Sequence, residues 1–522
     1  MRLATAADIR RLDERAEKEF GMSRLLLMEN AGASVVIAME KVFGALDGKR
    51  VTILCGKGGN GGDGMCAARH LVAHGASVVV GLVGTAKDLR GEPLANWTIL
   101  DRMGLTPKEL HTEGDLAWVR AAAGASDYIV DGLVGVGARL PLAGLLGDIV
   151  KTVNAAGKPV VAIDLPSGVD PDTGRIEGGP CMIAALTVTL GVPKRGLVLH
   201  PGTTRVGKLV VADLTFPLAL LTDPGVTADI VMPEEAAALI PQRSPTAHKH
   251  AVGRVLLVAG SRSMTGAALL SGAGALAGGA GMVYVAAPAS AAALLHGRQP
   301  ELIIRPQAET AAGGLSADAL EDLLAFAKPM HAAGIGPGLG VEEATRQAVI
   351  ALVERLECPV VVDADALNAL VGRVEVLKKA KAPRVLTPHA GELARLMETT
   401  ADVIDADRIG SAVAAATRFG ATILLKGART VVAQPGGRAF VVSTGNPGMA
   451  SAGTGDVLTG LAAALLAQGL SPVAAAILGA HVHGLAGDFA RDARTELSLT
   501  ASDVAGAVPK AFQHLRGEGS RA

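Results

Sequence analysis

Aromatic side chains are scarce. Eight Phe, two Trp and two Tyr among 522 residues leave the core to small aliphatics rather than to stacked rings. Cysteine is scarcer still: Cys55, Cys66, Cys181 and Cys358 are scattered, with no CxxC pair. That spacing argues against a disulfide framework or a zinc site and for a reducing compartment. Neither sign of charge predominates, since 49 Lys and Arg stand against 50 Asp and Glu. Without a basic stripe to neutralise a phosphate backbone, no nucleic-acid partner is expected. The first 29 residues mix Arg, Asp and Glu throughout and lack an unbroken apolar stretch, so they do not read as a signal peptide and a cytoplasmic location is expected.

Two segments lack charge altogether: 264–295 and 457–487 contain no Asp, Glu, Lys or Arg. Each exceeds the roughly 20 residues of a membrane span. Gly, Ser or Pro interrupts both, so they read as a buried helix, a turn and a second element, with no membrane partner.

What is abundant points to layered α/β architecture. Apolar residues make up 49% and charged ones 19%, the reverse of a disordered composition, and 66 Gly mark many tight turns. The length passes the roughly 250 to 300 residues at which one core stops growing, so two domains are expected. Helices are predicted over 6–19 and 23–42. Apolar, Val/Ile-rich runs at 51–55, 77–83, 128–131, 160–164 and 186–190 read as buried strands alternating with helices, the pattern of a parallel sheet. Pro217, Pro224, Pro233, Pro241 and Pro245 punctuate a boundary, placed near 225. Beyond it, strands are predicted at 255–259, 282–286, 360–363, 385–386, 422–426 and 430–433.

The first glycine loop, Gly56-Lys57-Gly58-Gly59-Asn60-Gly61-Gly62-Asp63-Gly64, follows a strand and precedes a helix predicted to begin near Met65, the setting of a backbone anion site. It satisfies GxGxxG formally. The acidic ribose partner expected at the end of the next strand is missing, however, since the chain there reads VVVGLVG. An ionised Asp63 beside a pyrophosphate would also cost about 4 kcal/mol per charge pair at an effective dielectric near 20, which favours a cation or a polar ligand. Three further turns fall at strand ends, where open α/β sheets place ligands: Asp131–Gly137, Asp164–Gly168 and Val192–Arg195. Asn60, Asp131 and Ser167 offer hard oxygen ligands for an alkali or alkaline-earth cation, and Asp164 with Lys194 forms a candidate acid/base pair.

The runs GKGGNGGDGMCAARHL, VDGLVGVGARLPLAG, VVAIDLPSGVD and GVPKRG resemble the NAD(P)H-hydrate epimerase family over roughly the first 220 residues. Gly59 stands where that family usually has Asn. The resemblance implies K⁺ held by Asn60, Asp131 and Ser167. Hydrated nicotinamide nucleotide would be contacted by Gly59, Asn60, Gly61, Gly62 and Asp63 and by Gly135, Val136, Gly137, Ala138, Arg139, Leu140 and Pro141. Asp164 would be the catalytic base.

The second glycine loop, 446–460, leads into an Ala/Leu-rich helix, with the amides of Gly453, Thr454 and Gly455 able to stabilise a phosphoryl group in transfer and Asp456 in the first turn able to accept a proton. No GxxxxGK[ST] occurs, which excludes a P-loop. AGS near 260, GIGPGLG, VVDADALNAL, LTPHAGE, LLKG and GTGDVLTG, in that order, resemble the ribokinase-like NAD(P)H-hydrate dehydratase family over about 228–515. That resemblance implies ADP with Mg²⁺ as phosphoryl donor, phosphorylation of the C6 hydroxyl and loss of phosphate. Asp456 would be the base, Lys426, Gly427, Ala428, Arg429, Thr430 and Gly455 would bind ADP, and Ala267, Gly338 and His389 would contact substrate.

The reading is therefore a Rossmann-like three-layer α/β/α epimerase domain over 1–225, then a ribokinase-like α/β dehydratase domain over 226–522. Its substrates are small molecules, and a homo-oligomer is expected. A vitamin-precursor kinase of the ribokinase-like class with a non-catalytic first domain is the rival. His248/His250 and His481/His483 have no third ligand beside them in sequence and are not read as metal sites.

Overall fold

The computed structural model describes residues 1–176, 178–250 and 252–517. The chain divides into two compact units, Arg2–Ala228 and Asp229–Ala522, with Met1 counted in the latter.

The first unit is a parallel sheet of strands β1 (Arg50–Cys55), β2 (Ser77–Val83), β3 (Lys108–Leu110), β4 (Tyr128–Gly132), β5 (Val160–Ile163), β6 (Leu186–Leu190) and β7 (Lys208–Ala212), ordered β3-β2-β1-β4-β5-β6-β7. The order reverses between β1 and β4, the switch point at which such sheets open a crevice at their carboxyl ends. Helix α1 (Ala6–Phe20) starts at a Thr5/Asp8 capping box and α2 (Arg24–Phe43) at Ser23.

Helix α3 (Gly59–Ala73) begins six residues before the expected Met65. The glycine loop is in fact its first turn: a Cβ on Gly61 would lie 1.8 Å from the Gly56 carbonyl oxygen, so only glycine lets the helix start this close to the strand it follows. β3 and β7 escape the sequence reading because one is three residues long and the other opens on a Lys with part-exposed side chains.

Among the described residues, nine strands lie wholly in the second unit: β8 (Arg254–Val258), β9 (Met282–Pro288), β10 (Leu302–Gln307), β11 (Ala332–Ile335), β12 (Val360–Val362), β13 (Arg384–Leu386), β14 (Thr422–Leu425), β15 (Thr430–Ala433) and β16 (Ala439–Val442). Their order is β16-β15-β14-β13-β12-β11-β8-β9-β10, parallel from β14 to β10 and antiparallel at β15 and β16. β10, β11 and β16 are the strands missed here.

The charge-free segments resolve as core elements. Residues 264–295 hold helix α4 (Thr265–Ala277), strand β9 and a short helix over Ala289–Leu295; 457–487 fall in α5 (Thr454–Ala467) and α6 (Pro472–Ala493). α6 is long and apolar enough to cross a membrane, yet 72% of its most apolar window is buried in the protein. Helices α4 and α5 touch backbone to backbone: a Cβ on Gly460 would sit 1.8 Å from the Ser271 carbonyl oxygen and one on Gly274 2.1 Å from that of Val457. With so few rings, burial is bought by close approach of Ala, Gly and Leu faces.

Candidate functional site

At the switch point of the first unit lies a cavity of about 1400 Å³. Gly56 to Asn60 and Asp63 come from the β1 turn and the start of α3, Gly135 to Ala138 from the loop after β4, Asp164 from the end of β5 and Lys194 from the turn after β6. Asp164 follows β5 directly and takes φ 68°, which ends the strand one residue earlier than expected and turns the carboxylate toward Lys194. The Lys194 ammonium, 1% exposed, is ion-paired to Asp164 Oδ1 and donates to Leu190 O at 3.1 Å, while Leu190 N donates to Asp164 Oδ1 at 3.1 Å. A charge buried this deeply is tolerated only with a partner and hydrogen bonds around it.

Asp63 is buried and lines the same cavity. Burial, then the negative charges of Asp164 and Asp13, push its carboxyl well above the usual range. That shift favours the neutral form of the carboxyl, which weakens the electrostatic objection to a phosphate-bearing ligand raised from the sequence. Gly61 and Gly62 face the protein, packed against Gly56 and Met28. Arg139, Leu140 and Pro141 do not line the cavity; Leu140 packs into a core cluster with Leu142 and Ile149.

Beneath the cavity floor, Asp131 is completely buried. It accepts hydrogen bonds from Ser167 N (2.8 Å), Ser167 Oγ (2.7 Å) and Leu133 N (3.2 Å), while Asn60 Nδ2 donates to Val134 O (3.0 Å) and Val134 N to Ser167 Oγ (3.2 Å). One loop thus ties all three oxygen-bearing residues together. Burial pushes the Asp131 carboxyl up, opposed by the Ser167 and Leu133 hydrogen bonds, and among the described residues no Lys or Arg pairs with it. A buried carboxylate with hydrogen bonds but no counter-ion, beside amide and hydroxyl oxygens, is a donor set that fits a monovalent cation.

The sequence reading overlooked Asp13, which lines this cavity from α1. Its signal was available: Ile9, Leu12 and Ala16 form the buried face, and Asp13 takes the i+4 place in that stripe, where an apolar residue is due. Another feature visible only in three dimensions joins Glu29, Cys66 and His70 within metal-ligand spacing. There Arg69 Nη2 donates to Glu29 Oε2 at 2.5 Å and to Cys66 Sγ at 3.1 Å, filling the place of a cation.

In the second unit the candidate residues collect at the carboxyl ends of β11 to β14. Lys426, just past β14, donates to Asp363 Oδ1 at 2.6 Å and lies 3.9 Å from Glu392 Oε2. Asp363, just past β12, also accepts from Thr459 Oγ1 of α5 at 2.7 Å. Burial would lower the Lys426 ammonium, but Asp363 and Glu392 outweigh it and hold its affinity for the proton above normal. A Cβ on Gly455 would lie 3.5 Å from Lys426 Nζ and 3.8 Å from Asp363 Oδ2, which puts the start of α5 against this ion pair.

Asp456 sits in the first turn of α5. Burial first, then the negative charge of Asp363, raise its carboxyl to about 7 despite Lys426. A carboxyl raised this far in a polar cluster is a candidate proton-transfer group. Gly338 and Ala267 meet, since a Cβ on Gly338 would come 2.9 Å from that of Ala267. His389 pairs with Lys426 in an isolated parallel bridge, and its ring caps the helix Ala390–Met397. Ala428 is exposed; Arg429, at φ 62°, donates to Ser443 O at 2.9 Å, and Thr430 Oγ1 to Gly427 O at 3.2 Å, closing the turn. Asp363 itself was not singled out from sequence as a site residue. His481 and His483 are buried on α6, where His483 Nε2 meets Thr454 O at 2.9 Å, and His248 and His250 lie outside helices and strands.

Comparisons with known proteins bear on both units. The family described as YjeF-related protein N-terminus matches residues 24–196, and the NAD(P)H-hydrate dehydratase family matches 255–510. A bifunctional NAD(P)H-hydrate repair enzyme of Moorella thermoacetica is 42% identical over 519 residues, covering 99% of this chain and 98% of its own. Its counterpart in Thermofilum pendens is 38% identical over 516 residues, covering 99% and 97%. Among solved structures, the ADP/ATP-dependent NAD(P)H-hydrate dehydratase of Bacillus subtilis, co-crystallised with ATP and Mg²⁺, is 30% identical and covers 55% of this chain and 98% of its own, with a TM-score of 0.49.

Proposed function

The chain belongs to the family of bifunctional NAD(P)H-hydrate repair enzymes, and we propose that Asp164 with Lys194 carries its epimerase reaction in residues 1–225 and Asp456 its ADP-dependent dehydration in residues 226–522. The first activity interconverts the R and S forms of hydrated NADH or NADPH at C6; the second returns the S form to NAD(P)H. The observation that carries the reading is the pairing of two separate acid/base constellations in one chain, each at the carboxyl ends of the parallel strands of its own sheet.

At the second site the C6 hydroxyl must lose a proton as it takes the β-phosphoryl group of ADP, and AMP departs. Asp456 accepts that proton. The ammonium of Lys426 and the amides at the start of α5 offset charge that develops on the moving phosphoryl group. Phosphate then leaves C6 together with a proton from the neighbouring carbon, which restores the ring double bond. Asp363 and Glu392, both near Lys426, would offer carboxylate oxygens to a nucleotide-bound Mg²⁺, which would supply charge neutralisation. At the first site, Asp131, Ser167 and Asn60 would hold K⁺, which when bound supplies the counter-charge that Asp131 lacks.

Incubation with racemic hydrated NADH and ADP tests the whole reading. Recovery of the reduced-cofactor absorbance from both epimers is expected. Recovery from one epimer leaves the first unit non-catalytic, and no recovery points to a kinase of another substrate.

The cation proposal makes its own prediction. Exchanging K⁺ for an equal concentration of tetramethylammonium, too large for the Asp131 cluster, is expected to weaken nucleotide binding to the first site in a calorimetric titration of the full chain. Epimerase KM should rise with it. Unchanged affinity and KM would remove the cation from the site.

A further inference from the structure

We propose that Asp13 is a second proton-transfer residue of the epimerase site, working on the departing or arriving hydroxyl opposite to Asp164. The proposal rests on the assignment of epimerisation to this cavity and extends it. One route that inverts a hemiaminal carbon breaks the C–O bond on one face and reforms it on the other, and each event moves a proton. On this route Asp164, ion-paired to Lys194, serves one of the two events, and a second acid/base group serves the other.

The chain places Asp13 for this. Ala4 N donates to Pro193 O at 2.8 Å and Arg195 N to Ala4 O at 3.0 Å, so Ala4 forms a parallel bridge to Lys194 and pins the beginning of α1 beside the Lys194 turn. The Thr5/Asp8 capping box then fixes the direction of the helix. From there, Asp13 reaches the cavity on the side of α1 that otherwise packs on protein. Its carboxyl makes no side-chain hydrogen bond or ion pair among the described residues, unlike Asp164, so its proton is free to move. The charged groups that act on it among the described residues include Lys194, Asp164, Asp63 of the same cavity and, from the start of α2, Arg24. Burial raises its carboxyl to about 6, with Lys194 pulling down and Asp164 pushing up, so both forms are populated near neutrality. Asp63, another carboxyl lining the cavity, is pushed further toward its neutral form by deeper burial and suits a hydrogen-bond donor instead.

The balanced sequence is as follows. Asp13 gives its proton to the C6 hydroxyl, the C6–O bond breaks, and water departs as the N1 lone pair forms the N1=C6 double bond of an iminium ion. Water then adds to C6 from the other face, the N1=C6 π pair returns to N1, and Asp164 takes the proton from the added water. Asp13 ends as carboxylate and Asp164 as acid, the state from which the reverse inversion begins, and exchange with solvent resets the pair.

Asp13→Asn keeps size and helix compatibility while removing acidity. Its epimerase kcat, followed by chromatographic separation of the two epimers without ADP, is expected to fall by about 10²- to 10⁴-fold with KM within a few-fold of wild type. Turnover of the S epimer with ADP should be unchanged. In Asp13→Ala, added formate should restore part of the lost rate by placing a small carboxylic acid in the vacated space. Near-normal kcat in Asp13→Asn, or no response of Asp13→Ala to formate, overturns the proposal. Asp164→Asn, assayed alongside, separates the two levels of failure: normal epimerisation in both variants means that the first site itself is misassigned, whereas normal epimerisation in the Asp13 variant alone removes Asp13 and leaves Asp164 in place.

Discussion

Asp456→Asn is expected to lower kcat for ADP-dependent dehydration by about 10²- to 10⁴-fold while epimerase activity stays at the wild-type level. Asn preserves the volume of the side chain at the start of α5 and cannot accept the proton from the C6 hydroxyl. The loss should fall on kcat rather than KM for ADP, because Lys426 and the helix amides remain. Stability moves the other way. The Asp456 carboxyl stands at about 7 in the folded chain against the model-compound 3.8, so the native state binds more protons here than the unfolded chain does. Stability from this group is full at low pH and is lost as pH rises toward 7 and through it. At pH 8 the ionised wild type carries the whole of that penalty and the Asn variant none, so the variant's thermal midpoint should equal or exceed that of wild type. The same titration sets the activity profile: wild-type kcat should rise with pH on a limb centred near 7. Normal turnover in the variant would reduce Asp456 to a first-turn helix carboxylate.

Asp164→Asn should abolish epimerisation and leave dehydration of the S epimer intact, since the two carboxylates belong to separate units. Here activity and stability fall together. Lys194 is buried, and its ammonium loses the one carboxylate ion-paired to it among the described residues; breaking a buried pair from one side costs roughly 3 kcal/mol or more, moderated because the Asn oxygen still accepts a hydrogen bond. Asn also tolerates the left-handed backbone at this position better than most residues do, so the loss reports charge rather than backbone strain. Scanning calorimetry of the full chain should show a lower midpoint for one transition. Equal loss of both activities would contradict the assignment of separate sites.

Much of the architecture was legible because it depends on local pattern. Strands buried in a sheet carry apolar runs, and β2, β6 and β15 have the ends expected from their Val- and Leu-rich runs. Strand ends at functional positions were harder: Asp164, Asp363 and Lys426 each fall one residue past the strand they were assigned to. A one-dimensional pattern cannot register that an apolar ladder ends where a side chain must leave it. Short or half-exposed strands such as β3, β7 and β10 carry too little pattern to be seen.

Sequence alone determined the two α/β halves, the glycine turns at strand ends and the residue types able to move a proton or hold a cation, because composition, periodicity and motif spacing are properties of the chain itself. Tertiary structure decided which of those residues meet. Asp13 joins Asp164 and Lys194 across 150 and more positions of chain because a backbone bridge at Ala4 aims α1 into the crevice. Asp363 comes between Lys426 and Thr459 because α5 packs against the ends of the parallel strands. Burial then sets the chemistry: Asp13, Asp63 and Asp456 carry the same side chain, and only the depth and neighbouring charge of each fold position raise them differently, to about 6 at Asp13, to about 7 at Asp456 and well above the usual carboxylate range at Asp63.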